Sequence, residues 1–478
     1  MPFKTFFGTG SNSHLRNDAN SRHFGARHMM VHLAKRYFVL AALFLLSLIL
    51  YVDRAAISSA KSAIAGELAL SDTSMGWVFG AFSLGYAFAQ IPWGWLADRV
   101  GPRLALAIVV ALWSAFTSLT GLASRASWLL LTRFLFGVAE AGAFPGSARV
   151  FYNWLPAQER GIANGILFSG ALLGGGLAFP LCQWLLDTYG WRMAFYLLGI
   201  PGLVWALSWL IWFRDYPERR IVGDADAVSP IPLPQVLRSR GMAKAMGQYF
   251  IGNFTFFICI SWMLPYLAEQ YSLTPSQAAH FSMVPLLFGA VANWVSGFFV
   301  DLLYRSRYRS WSRRAPATLG FLLAASGVYA VILVDSPGAA VAAFAVATFG
   351  VELTISPSWA YCIDIGCKNS GSVSAAMNMA GSFGAFASAN AFPWLYRLTG
   401  DSGTYFRIAA GLNALAILCW FSMRSNHSLE PAQALEKAKA AFNPPKDQFP
   451  IQNGEIRNKR HSAQLRHARA TTMLDIYQ

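Results

Sequence analysis

Long, nearly continuous apolar stretches recur between Tyr37 and Phe421, for example at 37–50, 104–123, 193–213 and 318–334. A helix needs about 20 apolar residues to cross the hydrocarbon of a bilayer. Within lipid only helices and closed barrels satisfy every backbone N–H and C=O. Runs this long and continuous do not alternate as barrel strands do. The chain is therefore expected to be an all-α membrane protein with about twelve transmembrane helices.

The rest of the composition agrees. Of 478 residues, 55% are hydrophobic and 13% charged, too few charges to clothe a soluble globule of this size. The formal net charge of +15 would suit a nucleic-acid partner, but its placement points elsewhere. Arg99 and Arg103, then Arg149 and Arg160, then Arg214 to Lys244, then Arg305 to Arg314 follow even-numbered spans. Odd-numbered connections hold few basic residues: Lys61, Arg125, Arg192 and Arg397. By the positive-inside rule the even loops and both termini are expected in the cytoplasm. The partners expected from this pattern are a lipid bilayer, anionic at its cytoplasmic face, and no nucleic acid. A multi-pass protein of a bacterial inner membrane, working as a monomer, is the expectation.

Five cysteines, Cys182, Cys259, Cys362, Cys367 and Cys419, form no CxxC pair, so neither a disulfide framework nor a metal site is indicated. All eight histidines fall in tails or connections on this reading: His14, His23, His28, His32, His280, His427, His461 and His467. An enzyme embedded in the membrane would need a nucleophile and base or a metal cluster, and none is visible. No enzymatic activity and no cofactor are expected.

A polar stretch at 214–245 divides the apolar runs into six and six. Three local patterns recur across it: Gly94-Trp95-Leu96-Ala97-Asp98 with Gly297-Phe298-Phe299-Val300-Asp301, Pro145 with Pro357, and Phe179-Pro180 with Phe392-Pro393. Their order and near-constant spacing along the chain indicate duplication of a six-helix unit, an architecture that places a substrate site between two rocking halves. The expected organisation is a disordered extension at 1–35, a six-helix bundle at 36–213, a linker at 214–245, a second bundle at 246–423 and a basic disordered tail at 424–478. The fifth span of each half is rich in glycine and alanine, which lets helices approach closely.

Ionisable groups inside a bilayer are costly and so are functional candidates. Asp53 and Arg54 end the first span, Arg133 and Glu140 share one face of the fourth, and Glu352 falls in the tenth, where its role stays open. With no imidazole in the membrane, carboxylates are left to carry protons, and Asp53 and Glu140 are the candidates. Arg54 can hold a carboxylate bidentately. Arg133 is counted among the substrate-binding candidates and is otherwise read as a gate or an anchor at the outer end of its helix. The alternative for all four is a purely structural pairing of Asp53 with Arg133 and of Arg54 with Glu140.

The segment Gly94-Trp95-Leu96-Ala97-Asp98-Arg99-Val100-Gly101-Pro102-Arg103 resembles the signature loop of the major facilitator superfamily. That resemblance implies a conformational switch built on Gly94, Asp98, Arg99, Gly101 and Arg103. Glycines would turn the chain and Asp98 would sit at the positive end of another helix. Tyr51-Val52-Asp53-Arg54, Gln90-Ile91-Pro92, Gly137 to Pro145, Trp154 to Arg160 and Met377-Asn378-Met379-Ala380-Gly381 resemble the anion:cation symporter family, from about Tyr37 to Phe421. The family implies uptake of a small organic anion, a sugar acid or another carboxylate, by symport with protons, sodium being the less favoured coupling ion. It further implies proton coupling at Glu140 and Asp53, a substrate clamp at Arg54, and cavity-facing polar positions at Tyr51, Tyr86 and Asn378. Ser169-Gly170-Ala171 departs from the galactonate carriers in having alanine where they carry a polar amide. A drug/proton antiporter of the same fold is the competing expectation, and membrane arginines argue against a cationic cargo. A nontransporting sensor would need a signalling domain, and none is visible.

Overall fold

The computed structural model describes residues 13–217, 233–273 and 275–423. Among the described residues there is no β-strand, and the helices compose twelve spans. In the first half these are α1 (Ser13–Ser59), α2 (Asp72–Val100), α3 (Pro102–Thr120), α4 (Ala126–Glu140 continued by Ala143–Trp154), α5 (160–189) and α6 (191–212). The chain turns between α5 and α6 at Gly190, whose φ of 76° only glycine adopts freely. The second half holds α7 (Arg240–Ser261 continued by Met263–Gln270), α8 (Pro275–Tyr304), α9 (Arg314–Ala330), α10 (Pro337–Leu353 continued by Ile355–Gly366), α11 (Ser370–Thr399) and α12 (Gly403–Ser422).

Two boundaries and the placement of one histidine differ from the sequence reading. The backbone of residues 13–35, expected to be disordered, is helical and continuous with α1. The second bundle begins at Arg240 rather than at 246, because Ser239 accepts a hydrogen bond from the Met242 N–H and so caps a helix that starts inside the basic stretch. His280 lies in the second turn of α8, not in a connection. The rest of the linker, 218–232, and the tail, 424–478, lie outside the described residues.

The internal duplication is repeated in the packing. Gly174 of α5 lies so close to α1 that a Cβ there would collide with the Leu48 carbonyl oxygen, and Gly384 of α11 meets α7 the same way, against the Phe250 carbonyl oxygen. Without a hydrophobic drive between helices in lipid, such close backbone approach is a main source of association. In the first half Ser47 of α1 adds a hydrogen bond to the Leu167 carbonyl at 2.6 Å. α4 and α10 break at matching places: Trp93 of α2 donates to the Val138 carbonyl at 2.7 Å, and Ser296 of α8 to the Leu353 carbonyl at 2.6 Å. Each bond satisfies a backbone group near a helix break, where an orphan would be costly in lipid. Trp93 and Ser296 immediately precede Gly94 and Gly297, so they too are equivalent positions of the repeat.

Candidate functional site

The ends of α2, α4, α6, α8 and α10 and the starts of the helices that follow them lie on one side, rich in arginine, and here the halves are bolted together. Asp98, at the end of α2, accepts hydrogen bonds from the Gly371 and Ser372 N–H groups at 2.9 and 2.7 Å and from the Ser372 hydroxyl at 2.7 Å. Asp301, at the end of α8, accepts from the Gly161 and Ile162 N–H groups at 2.9 and 2.8 Å. Each half thus caps a helix of the other, α11 and α5, with a carboxylate at its positive end. Asp364 of α10 pairs with Arg160 at 2.6 Å and with Arg313 at 3.0 Å, and Arg313 also reaches the Ala157 carbonyl at 2.8 Å. Arg149 lies 3.9 Å from Asp98 and donates to the Lys368 carbonyl.

The remaining switch residues brace the first half. Gly101 has a φ of 95°, and Asp215 fills the space a side chain there would take. Burial pushes the Asp215 carboxyl up from its ordinary range, opposed by a hydrogen bond from the Arg103 N–H at 2.7 Å. The Arg103 guanidinium donates to the Leu210 carbonyl, and Arg99 lies over the Trp95 ring. Gly94, expected to turn the chain, does not: it is inside α2, where its backbone meets Gly371 of α11, and an added Cβ would lie 2.5 Å from the Gly371 carbonyl oxygen. Its smallness serves an interface between the halves.

Toward the middle of the bundle, Gln90 of α2 donates to Ser382 of α11 at 2.9 Å and Asn378 donates to the Tyr86 hydroxyl at 3.1 Å. Asp98, Asp301, Arg149, Arg160 and Arg313 thus join the halves on the arginine-rich side, and Gln90 and Asn378 join them at mid-depth. The molecule is closed on its arginine-rich side, and the Arg54 side chain, 27% exposed, marks an opening toward the other side.

The expected site residues gather at the floor of that opening. Arg54 pairs with Glu140, its Nε 2.9 Å from Oε1, so α1 and α4 are joined by a fully buried carboxylate and an arginine whose side chain is 27% exposed. The rings of Tyr51, Phe82 and Tyr86 surround Arg54, with centroids 4.8 to 5.0 Å from its guanidinium carbon. A guanidinium is weakly hydrated and stacks on aromatic faces, which keeps it charged and oriented there. Asn378 closes the group from the second half through Tyr86.

Asp53 and Arg133 are placed otherwise than expected. Asp53 is 1% exposed, two turns inside α1 rather than at its end, and its buried carboxyl makes no hydrogen bond of ordinary geometry, with the Trp113 indole within reach of it. Arg133 is 2% exposed, over the Phe82 and Phe136 rings, with Nε and Nη1 unpartnered, so it stands neither at an outer end nor in an ion pair with Asp53. Asp53, Arg133 and Glu140 nevertheless lie within electrostatic reach of one another. The Asp364 clasp and the Asn293–Glu352 contact, 2.6 Å between α8 and α10, were not anticipated. Partners of this kind lie far apart in the chain, and residue type alone does not pair them.

Two pseudo-equivalent six-helix bundles, a polar floor between them and a seal on one side are the architecture of a membrane transporter. The chain matches the Major Facilitator Superfamily over residues 43–389 and belongs to that family. The probable sulfoacetate transporter SauU of Cupriavidus necator is 31% identical over 401 residues, 80% of this chain and 93% of that protein. The hexuronate transporter of Bacillus subtilis is 29% identical, over 80% of this chain and 92% of its own length. The probable galactarate/D-glucarate transporter GarP of Escherichia coli is 32% identical over 61% of this chain and 72% of its own. Among solved structures, the proton:xylose symporter XylE superposes with a TM-score of 0.66 at 16% identity, covering 84% of this chain and 99% of that one. FucP in its outward conformation gives 0.63 at 14% identity, over 80% and 98%. At such identities the likeness is one of fold.

Proposed function

We propose that this chain takes up a small organic anion, a sugar acid such as a hexuronate, glucarate or galactonate or another small carboxylate, by symport with protons. The arginine-rich side faces the cytoplasm of a bacterial cell and the opening faces out. The observation that carries this reading is the Arg54–Glu140 pair at the floor of the opening. The Arg54 side chain is 27% exposed, and its guanidinium can take a carboxylate in fork geometry when it leaves Glu140.

Charge balance then supplies the coupling. The pair is neutral as it stands. A substrate carboxylate that draws Arg54 away leaves Glu140 as a buried anion with no partner, which costs several kcal/mol. A proton on Glu140 removes that cost, so substrate and proton enter together. Tyr86 and Asn378 offer hydroxyl and amide groups to the substrate's own hydroxyls. Asp53, buried beside Glu140, serves as a second proton site whose state biases α1. Arg133 tunes both carboxylates by its charge. The relatives named as sulfoacetate, hexuronate and glucarate transporters support the anionic cargo.

Labelled sugar acids and other small carboxylates, presented to proteoliposomes under an inward proton gradient, test the reading. Accumulation of at least one acid is expected, abolished in Glu140→Gln, which still exchanges substrate. No accumulation of any acid, or full accumulation by Glu140→Gln, sinks the mechanism.

A further inference from the structure

Glu352 is the one membrane carboxylate to which the sequence assigns no role, and its position is not arbitrary. The displacement along the chain that carries Pro145 onto Pro357 also carries Glu140 onto Glu352. The helices agree with that register. α4 spans Ala126 to Trp154 and breaks just after Glu140, while α10 spans Pro337 to Gly366 and breaks two residues after Glu352. Beside each break a residue of the neighbouring helix, Trp93 or Ser296, holds a carbonyl of the broken span. Glu352 is therefore the second half's copy of Glu140.

The two copies differ in what faces them. Glu140 is paired with Arg54 of α1. The corresponding helix of the second half, α7, carries no charged residue between Lys244 and Glu269. Among the described residues Glu352 makes no ion pair, and its hydrogen-bond partner is Asn293 of α8, whose Nδ2 donates to Oε2 at 2.6 Å. The Asn293 carbonyl oxygen is itself buried and unpartnered. The Tyr51 hydroxyl of α1 and the Tyr249 hydroxyl of α7 are titratable groups within electrostatic reach of Glu352. α9 presents glycine, alanine and leucine to α10. Tyr51, whose ring lies 4.8 Å from the Arg54 guanidinium carbon, is within electrostatic reach of Glu352. An acid 6% exposed, with one amide donor and no cation, is costly as an anion and is eased by binding a proton.

We propose that Glu352 is a coupling carboxylate of the second half, which takes a proton from the open side and gives it up when the halves rearrange, with Asn293 holding the carboxylate after release. The proposal rests on the proton-symport reading and adds one transported proton to it. Because Glu140 already balances the charge of a monovalent substrate, the proton on Glu352 adds one positive charge to each uptake cycle.

The experiment is equilibrium accumulation in proteoliposomes with the membrane potential clamped at zero. Each coupled proton multiplies the accumulation ratio about tenfold per pH unit of gradient. Glu352→Gln, neutral like the protonated acid, is expected to keep substrate exchange and to accumulate about tenfold less per pH unit than the wild type. Wild-type protein that accumulates nothing under the gradient fails the symport reading itself. Wild-type accumulation with an unchanged ratio in Glu352→Gln overturns this proposal alone, as does a ratio that Glu352→Gln alters only when sodium is present. If Glu352→Gln does not fold, Asn293→Ala replaces it: removal of the donor is expected to displace the pH midpoint of substrate exchange, and an unmoved midpoint overturns the proposal.

Discussion

Replacing Asp98 by asparagine should open the arginine-rich side without unfolding either half. The carboxylate accepts three hydrogen bonds from the first turn of α11. Asparagine keeps one acceptor oxygen and turns an NH2 group toward a backbone donor. At least one charge-assisted bond is lost, about 1.5–3 kcal/mol, together with about 0.3–1 kcal/mol of interaction with the helix terminus. A loss of about 2–4 kcal/mol confined to the closed state lowers the ratio of closed to open forms by roughly 30-fold to several hundredfold. Cys367 is a native reporter. It lies in the turn between α10 and α11, half-buried, with its carbonyl oxygen 3.4 Å from Arg149 across the seal. In a Cys419→Ser background the other cysteines, Cys182, Cys259 and Cys362, are buried. Labelling of Cys367 by a membrane-impermeant maleimide in inside-out vesicles should accelerate in Asp98→Asn in proportion to the open population. Labelling at the wild-type rate would refute the assignment of Asp98 as a latch.

Gly94→Ala and Gly174→Ala separate two kinds of close contact. The first puts a Cβ 2.5 Å from Gly371 of the other half and should speed Cys367 labelling with little change in melting temperature. The second drives one into Leu48 of the same half and should lower the melting temperature, at a cost of about 1–3 kcal/mol. Equal melting temperatures for the two variants would contradict that division. On the opposite side, Glu67 accepts hydrogen bonds from the Trp191 indole at 2.5 Å and from Arg192 at 2.9 and 3.1 Å, which hold its carboxyl below the usual carboxylate range. A depressed acid stabilises the fold above its unfolded pKa and loses that contribution as pH falls through its folded value. The melting-temperature gap between wild type and Glu67→Gln in detergent should thus be full near neutral pH and shrink as pH falls below the ordinary glutamate value of about 4.3; a gap that does not shrink on acidification argues against the brace.

Much of the architecture was legible in the amino-acid order because lipid leaves few choices. Apolar runs must be helices, arginines must collect on one side, and a repeat of Gly94 to Asp98 at Gly297 to Asp301 is visible by eye. The candidate site was legible in part. Arg54 and Glu140 stood out because charges in a membrane are rare, but their union across distant stretches of chain depends on how α1 packs against its neighbours. Arg133 was misplaced because sequence spacing gives the face of a helix and not which end is covered. Glu352 found no match in any local motif, although the paired prolines already pointed to it; the signal lay in register along the repeat.

The sequence by itself determined the solvent of the fold, the helix count, the duplication and the small set of charges that can do work, since each follows from the cost of placing polar groups in hydrocarbon. Tertiary structure alone decided which state the carrier occupies and who partners whom. Asp98 with α11, Asp301 with α5 and Asp364 with Arg160 and Arg313 form only when the two halves meet on one side. That meeting is set by the packing of whole bundles, and no stretch of either bundle alone encodes it.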